Sequence, residues 1–277
     1  MAQPGQGGDI TRSWTFQTEA APTVDTQTSG GSITVIAHSR PDVVVELIAR
    51  RSRRALGPDD ELDGVELDVT RDGNRITAVA RRASGQRGFL GIGSNNQNLS
   101  LAFRIYVPET ADIEGRTSGG SISVDGTSGS LEMRTSGGSI SIENASGSIN
   151  MRTSGGSISA ANLNGDVALR TSGGSIRLSD LSGSVDARTS GGSIRANMDR
   201  ITGPVTLRTS GGSITLSLPG QTGINLNLSG TRVNAQLAQF SGTIERNKVV
   251  GELMGGGYPV EARTSGGSVT VQFVDQP

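Results

Sequence analysis

The side chains that recur at a fixed interval and could do chemistry are arginines. Arg116, Arg134, Arg152, Arg170, Arg188 and Arg208 each open a copy of Arg-Thr-Ser-Gly-Gly-Ser-Ile, spaced by 18 residues and finally by 20. A guanidinium presents a planar fork of donors and keeps its charge at any working pH, so a row of them suits carboxylates, sulfates or phosphates. The six are therefore candidates for an anion- or partner-binding stripe. The competing reading is structural. Carboxylates such as Glu132, Glu143 and Asp186 would neutralise the row while the aliphatic stems pack together.

Other chemistry is poorly supplied. The chain has one histidine, His38, and no cysteine, which removes Cys–His dyads, multi-histidine metal sites and disulfides. A Ser-His-Asp triad would have to recruit His38, beside Pro41-Asp42. Glu132 and Asp186 fall in one outward column but three repeats apart, ~14 Å at the spacing of stacked strands, too far for a glycosidase pair. Calcium-binding β-rolls place aspartate in a Gly-Gly-x-Gly-x-Asp nonapeptide. Here Ser, Arg or Thr stands in that place, as in Gly138-Ser-Ile-Ser141. A phosphate-cradling glycine loop needs a following helix, and no long i, i+3, i+4, i+7 apolar pattern exists to make one. No catalytic residue, metal ligand or cofactor is expected.

The elements that must position the arginines are legible in the same repeat. Each 18-residue unit splits into two nines, such as RTSGGSISV (116–124) followed by DGTSGSLEM (125–133). A glycine recurs every nine residues from Gly120 to Gly192, followed by two apolar positions spaced by two: Ile122/Val124, Leu131/Met133, Ile140/Ile142, Ile149/Met151. Period-2 alternation between Gly/Ser clusters predicts short strands. Two strands and two glycine turns per unit predict an all-β parallel β-solenoid of about 18 residues per coil, its Ile and Val ladders inward. Ser123, Ser141, Ser159, Arg177 and Arg195 then point outward on one face. Glu132, Asn150, Ala168, Asp186 and Thr206 do so on the other. The recurrent glycine is expected at a positive φ or at a corner too crowded for a Cβ.

Composition agrees with a thin stack. Of 277 residues 33% are hydrophobic and 3% aromatic, low for a globular enzyme but enough for a core two side chains thick. A net charge of −1 gives no electrostatic case for nucleic acid. No 18-residue apolar run is present, so no membrane span is expected. The start, Met1-Ala-Gln-Pro-Gly, lacks a signal peptide's basic and apolar regions, which leaves export open, since Met1 could follow a cleavage.

Along the chain, residues 1–9 read as a flexible segment and 10–110 as an irregular β-rich part. The regular array covers 111–218 and C-terminal coils cover 219–277, all within one continuous domain. Strands are expected at 10–18, 32–37, 43–51, 65–70, 75–81 and 99–107, and a local irregularity at Pro204. The Gly/Asn-rich stretch 84–98 carries Phe89, Leu90 and Ile92, which either tuck over the core or await a partner.

The GGSITV strand near the start, Val107-Pro-Glu-Thr-Ala-Asp-Ile113 before the array, the TSGGSI/SGSLEM alternation, Ser217-Leu-Pro-Gly220 and the closing GGSVTV together resemble the bacterial putative-adhesin family of domains of unknown function. The resemblance covers roughly residues 10–274. It implies a right-handed parallel β-helix, exported or surface-exposed, with no established catalytic residues. The near identity of the RTSGGSI copies departs from that family's looser pattern.

Two functions follow from these features. In the first, the chain is an extracellular structural subunit that stacks end to end into filaments or a surface layer. Its contacts would be the open edges at Ile33 and Val35 and at Val269 and Val271, helped by Phe89, Leu90 and Ile92. In the alternative, a monomeric surface adhesin binds glycan through its Arg and Ser/Thr ladders. Expected partners are copies of itself, an acidic polysaccharide or the cell envelope.

Overall fold

The computed structural model describes residues 9–52, 54–83 and 99–274. Residues 1–8 of the expected flexible start and the loop residues Phe89, Leu90 and Ile92 lie outside the described residues, whereas Asp9 pairs with Arg50. The chain divides into two compact units, Met1–Gly138 and Ser139–Pro277. Every long element among the described residues is a strand, and none of their helices is long and apolar enough to cross a membrane.

The first unit contains β1 (Arg12–Gln17), β2 (Thr23–Thr28), β3 (Ile33–His38), β4 (Asp42–Arg51), β5 (Arg54–Ala55), β6 (Val65–Asp72), β7 (Arg75–Arg82), β8 (Leu99–Pro108), β9 (Asp112–Thr117), β10 (Ile122–Asp125) and β11 (Leu131–Thr135). One row of strands runs β6–β7–β2–β9–β11, antiparallel only at β6–β7. The other runs β1–β4–β8–β3–β10, antiparallel at β1–β4 and β4–β8. Val24, Ile76, Ala78 and Ile113 of the first row and Ile33, Val35, Phe103 and Ile105 of the second are buried. Their alternation with polar residues is what makes each segment a half-buried strand.

The expected strands form, with two additions, β2 and the two-residue β5. β2 (TVDTQT) has a single apolar inward residue, Val24. Its other inward positions are Thr26 and Thr28, both buried. Thr28 is accommodated because its Oγ1 donates to the Leu101 carbonyl at 2.6 Å.

Strand order corrects the expectation of an open edge at Ile33 and Val35. β3 is paired on both flanks, Ile33 to Phe103 of β8 and to Ile122 of β10, and both side chains are almost fully buried. β7 and its hairpin partner β6 cover β2, and β8 with antiparallel β4 covers β3. Among the described residues the outermost strands are β1 and the short β5, both paired only to β4, and β6, paired only to β7. β6 carries Glu66, Asp68, Arg71 and Asp72, the charge pattern that discourages edge-to-edge pairing.

The second unit begins with long strands β12 (Ile140–Arg152), β13 (Ile158–Arg170), β14 (Ile176–Arg188) and β15 (Ile194–Thr209). They lie parallel with each residue opposite the one 18 places on: Ile140, Ile158 and Ile176 align, as do Arg152, Arg170 and Arg188. Each of β12–β14 turns a corner at a non-glycine residue of positive φ, Asn144 (54°), Asn162 (53°) and Asp180 (56°), residue types that tolerate the left-handed region. The two-residue insertion in β15 is absorbed by register shifts opposite Leu178–Val185, beside Pro204.

The remaining strands are β16 (Ile214–Pro219), β17 (Ile224–Ser229), β18 (Arg232–Ala235), β19 (Phe240–Ile244), β20 (Lys248–Leu253), β21 (Tyr258–Thr264) and β22 (Ser268–Val274). The closing Arg-Thr-Ser-Gly-Gly-Ser-Val packs directly against the sixth copy, Arg263 opposite Arg208 and Val269 opposite Ile214. β17 then pairs with β21, and β18 with β22. Val269 and Val271 are therefore interior and buried, and the expected open edge there is closed as well. The intervening segment supplies the cover, and β20 and β19 extend it antiparallel beyond β17.

Candidate functional site

Within the second unit, the turn around Thr171 shows what the repeated motif does. Thr171 Oγ1 donates to the Gly156 carbonyl of the preceding repeat at 2.7 Å and accepts the Gly174 amide of its own turn at 3.3 Å. A Cβ on Gly174 would overlap the Gly156 carbonyl oxygen, whereas one on Gly173 would sit 3.4 Å from its nearest neighbour. Neither glycine has a positive φ. The second glycine is required by close approach of backbone to backbone rather than by a left-handed turn. Ser175 donates its amide to Ser157 Oγ at 3.2 Å, and Ile176 is fully buried.

The same bonds recur at Thr189 and Thr209, and in the first unit at Thr117 and Thr135. Threonine, second glycine, serine and isoleucine are thus committed to stacking one repeat on the next. The arginine is left to face solvent.

The structure places that arginine beside carboxylates. In the first unit Arg116 pairs with Glu114 and Arg134 with Glu132. In the second, Arg170 (3.3 Å) and Arg188 (2.8 Å) share Asp186, and Arg208 (2.9 Å) and Arg263 (2.7 Å) share Glu261. Arg152 makes no ion pair among the described residues. All these guanidinium side chains are 40–52% exposed, so each pair contributes ~0–1 kcal/mol of stability. What the pairs do decide is charge: they neutralise Arg116 and Arg134 in the first unit, while in the second two shared carboxylates offset only part of the row.

A different column in the second unit carries uncancelled charge. On the outward face of the first strand of each repeat, Ser141, Ser159, Arg177, Arg195, Thr215 and Thr270 lie opposite one another in register. Arg177 and Arg195 are exposed, and neither bonds a protein side chain among the described residues.

The family model for Toastrack DUF4097 matches residues 32–272. The chain belongs to that Toastrack family. Similar solved structures include a "putative adhesin" from Bacteroides fragilis, 13% identical over 95% of this chain and 96% of that one, with a TM-score of 0.47. A "putative cell adhesion protein" from Clostridium sporogenes is 10% identical over 95% and 99% of the chains (TM-score 0.23). A "putative lipid binding protein" from Parabacteroides distasonis is 12% identical over 96% and 98% (TM-score 0.36). No curated protein matches the chain.

In this Toastrack chain His38 is tied to its own loop. Its Nδ1 accepts the Arg40 amide at 3.0 Å, and its Nε2 lies 3.6 Å from Asp42 Oδ1. Burial lowers its pKa, against the opposing pull of Asp42. Among the described residues no three His, Asp or Glu side chains converge on a cation position. Sequence reading placed Arg177 and Arg195 outward but passed over them as a site, because the six identical motif copies carried the stronger signal. Their distinguishing property is the lack of a carboxylate partner, which a one-dimensional pattern does not display.

Proposed function

We propose that the chain is a non-enzymatic module working outside the cell, a right-handed β-solenoid of 18-residue coils that holds other molecules on its strand faces. The observation that carries this reading is the division of roles within the repeat. Thr, the second Gly, Ser and Ile are committed to backbone bonds, close approach and core, which leaves the outward columns free for a partner. The histidine's tie to Arg40 and Asp42 supports a role without turnover.

Self-association into filaments is the second reading. One observation favours it: β19, Phe-Ser-Gly-Thr-Ile, is an uncharged strand paired only to β20 among the described residues, and its Ile244 is 64% exposed. Negative-stain microscopy together with sedimentation against isolated bacterial envelopes tests both. Discrete particles that co-sediment with envelopes are expected. Thin filaments of constant width without envelope binding would put the second reading first.

A further inference from the structure

We infer that Arg177 and Arg195 form a binding site for an acidic polysaccharide, lying across the strands of the second unit; this rests on the face-binding reading above. The two guanidiniums stand on adjacent parallel strands with their backbones about 4.8 Å apart. Like charges directly opposite each other on one face of a sheet are unfavourable unless an anion sits between them. Elsewhere in this unit paired arginines receive that anion from the chain itself, Asp186 between Arg170 and Arg188 and Glu261 between Arg208 and Arg263. Arg177 and Arg195 do not. Asp180, beyond the corner, instead accepts from Asn197 at 3.5 Å.

What surrounds the pair narrows the anion. Along the column the neighbours are hydroxyls, Ser159 on one side and Thr215 on the other. Ile176, Leu178, Ile194 and Ala196 of these strands are buried, so among the described residues the column turns no apolar side chain outward for lipid chains. Nor does it carry an aromatic ring for stacking bases. A row of hydroxyls interrupted by two fixed positive charges suits a linear sugar chain. Its hydroxyls would meet Ser and Thr, and a carboxylate or sulfate would bridge the two forks. Because the column runs perpendicular to the strands at a constant step, the polymer lies along the stack.

The test uses the full chain with polygalacturonate as the acidic probe, dextran as the neutral one, and bacterial envelopes as an independent target. Wild type is expected to bind polygalacturonate in a salt-sensitive way and to ignore dextran. Arg177→Gln/Arg195→Gln should weaken polygalacturonate binding by about tenfold or more, with a melting temperature unchanged or slightly raised, because both side chains are exposed and their repulsion is relieved. Arg152→Gln, which removes an unpaired guanidinium from the other face, should stay within about twofold. Polygalacturonate binding that survives the double substitution, falls equally with Arg152→Gln, or is matched by dextran overturns the assignment. If envelope binding persists in those cases, the proposed function stands without it. Loss of wild-type binding to envelopes and to both polymers overturns the two together.

Discussion

At the residue scale, the two glycines of the motif look interchangeable in sequence and are not. Gly174→Ala forces a Cβ into the Gly156 carbonyl, and backbone cannot move aside as a flexible side chain would. A loss of at least about 2 kcal/mol is expected. Gly173→Ala meets its nearest atom at 3.4 Å and should cost less than about 1 kcal/mol. Paired denaturant titrations check the contrast, and equal losses would mean that the close approach is not what selects glycine. His38 gives the second prediction. Its folded pKa lies below the unfolded value because burial disfavours the charged ring. The unfolded chain therefore binds more protons between the folded pKa and about 6.5, and stability rises with pH across that window. Acid lowers stability as pH falls through the folded pKa. The melting temperature of wild type should climb more steeply than that of His38→Gln from about pH 5 to 7, and parallel curves would remove His38 from the pH dependence.

At the element scale, one face of each strand is core and the other is solvent, so neighbouring positions differ sharply. Ile142 is fully buried on β12 while Ser141 beside it points outward. Ile142→Lys should cost several kcal/mol by burying an unpaired ammonium, and Ser141→Lys about 0.5 kcal/mol or less. Thermal melts of the two proteins check this. The corners obey a separate rule. Asn162 holds φ at 53° and donates Nδ2 to Asn144 Oδ1 at 2.7 Å. Asn162→Ala should lose about 1 kcal/mol or more, and Asn162→Gly should recover part of it by accepting the positive φ. If the alanine variant is the more stable of the two, backbone strain is not the cost at the corner.

At the scale of the whole molecule, each unit hides the strands that its sequence makes look terminal. β22 is held between β16 and β18, so truncation after Thr264 removes the partner of both. Leu216 and its inner neighbours would then lie beneath an unpaired edge, the condition that promotes strand-to-strand association. The truncated chain is expected to melt lower and to sediment as oligomers, while the full chain remains discrete. A truncated protein that stays monomeric and equally stable would show that β22 is dispensable cover.

The sequence by itself determined the repeat, the inward and outward faces, and the parallel register of β12–β14, because a strict 18-residue period leaves one alignment that keeps every apolar pair inside. It also determined which chemistry was absent, since one histidine and no cysteine are facts of composition. Tertiary structure alone decided the order of stacking. Backbone donors and acceptors are the same on every strand, so nothing local tells β3 that β8, some 70 residues on, will pair with it. Nor does anything local say that Arg263 will return to lie against Arg208. Charge followed both rules. Arg116, Arg134, Arg188 and Arg263 pair with a carboxylate two positions earlier on their own strand, whereas Arg170 and Arg208 depend on one that the fold brings across from another repeat, as Glu261 comes to Arg208 across 53 positions of sequence. The arginines that open the motif copies are mostly paired, and although the sequence already put Arg177 and Arg195 on one outward face, only the folded strands show that no carboxylate among the described residues pairs with them.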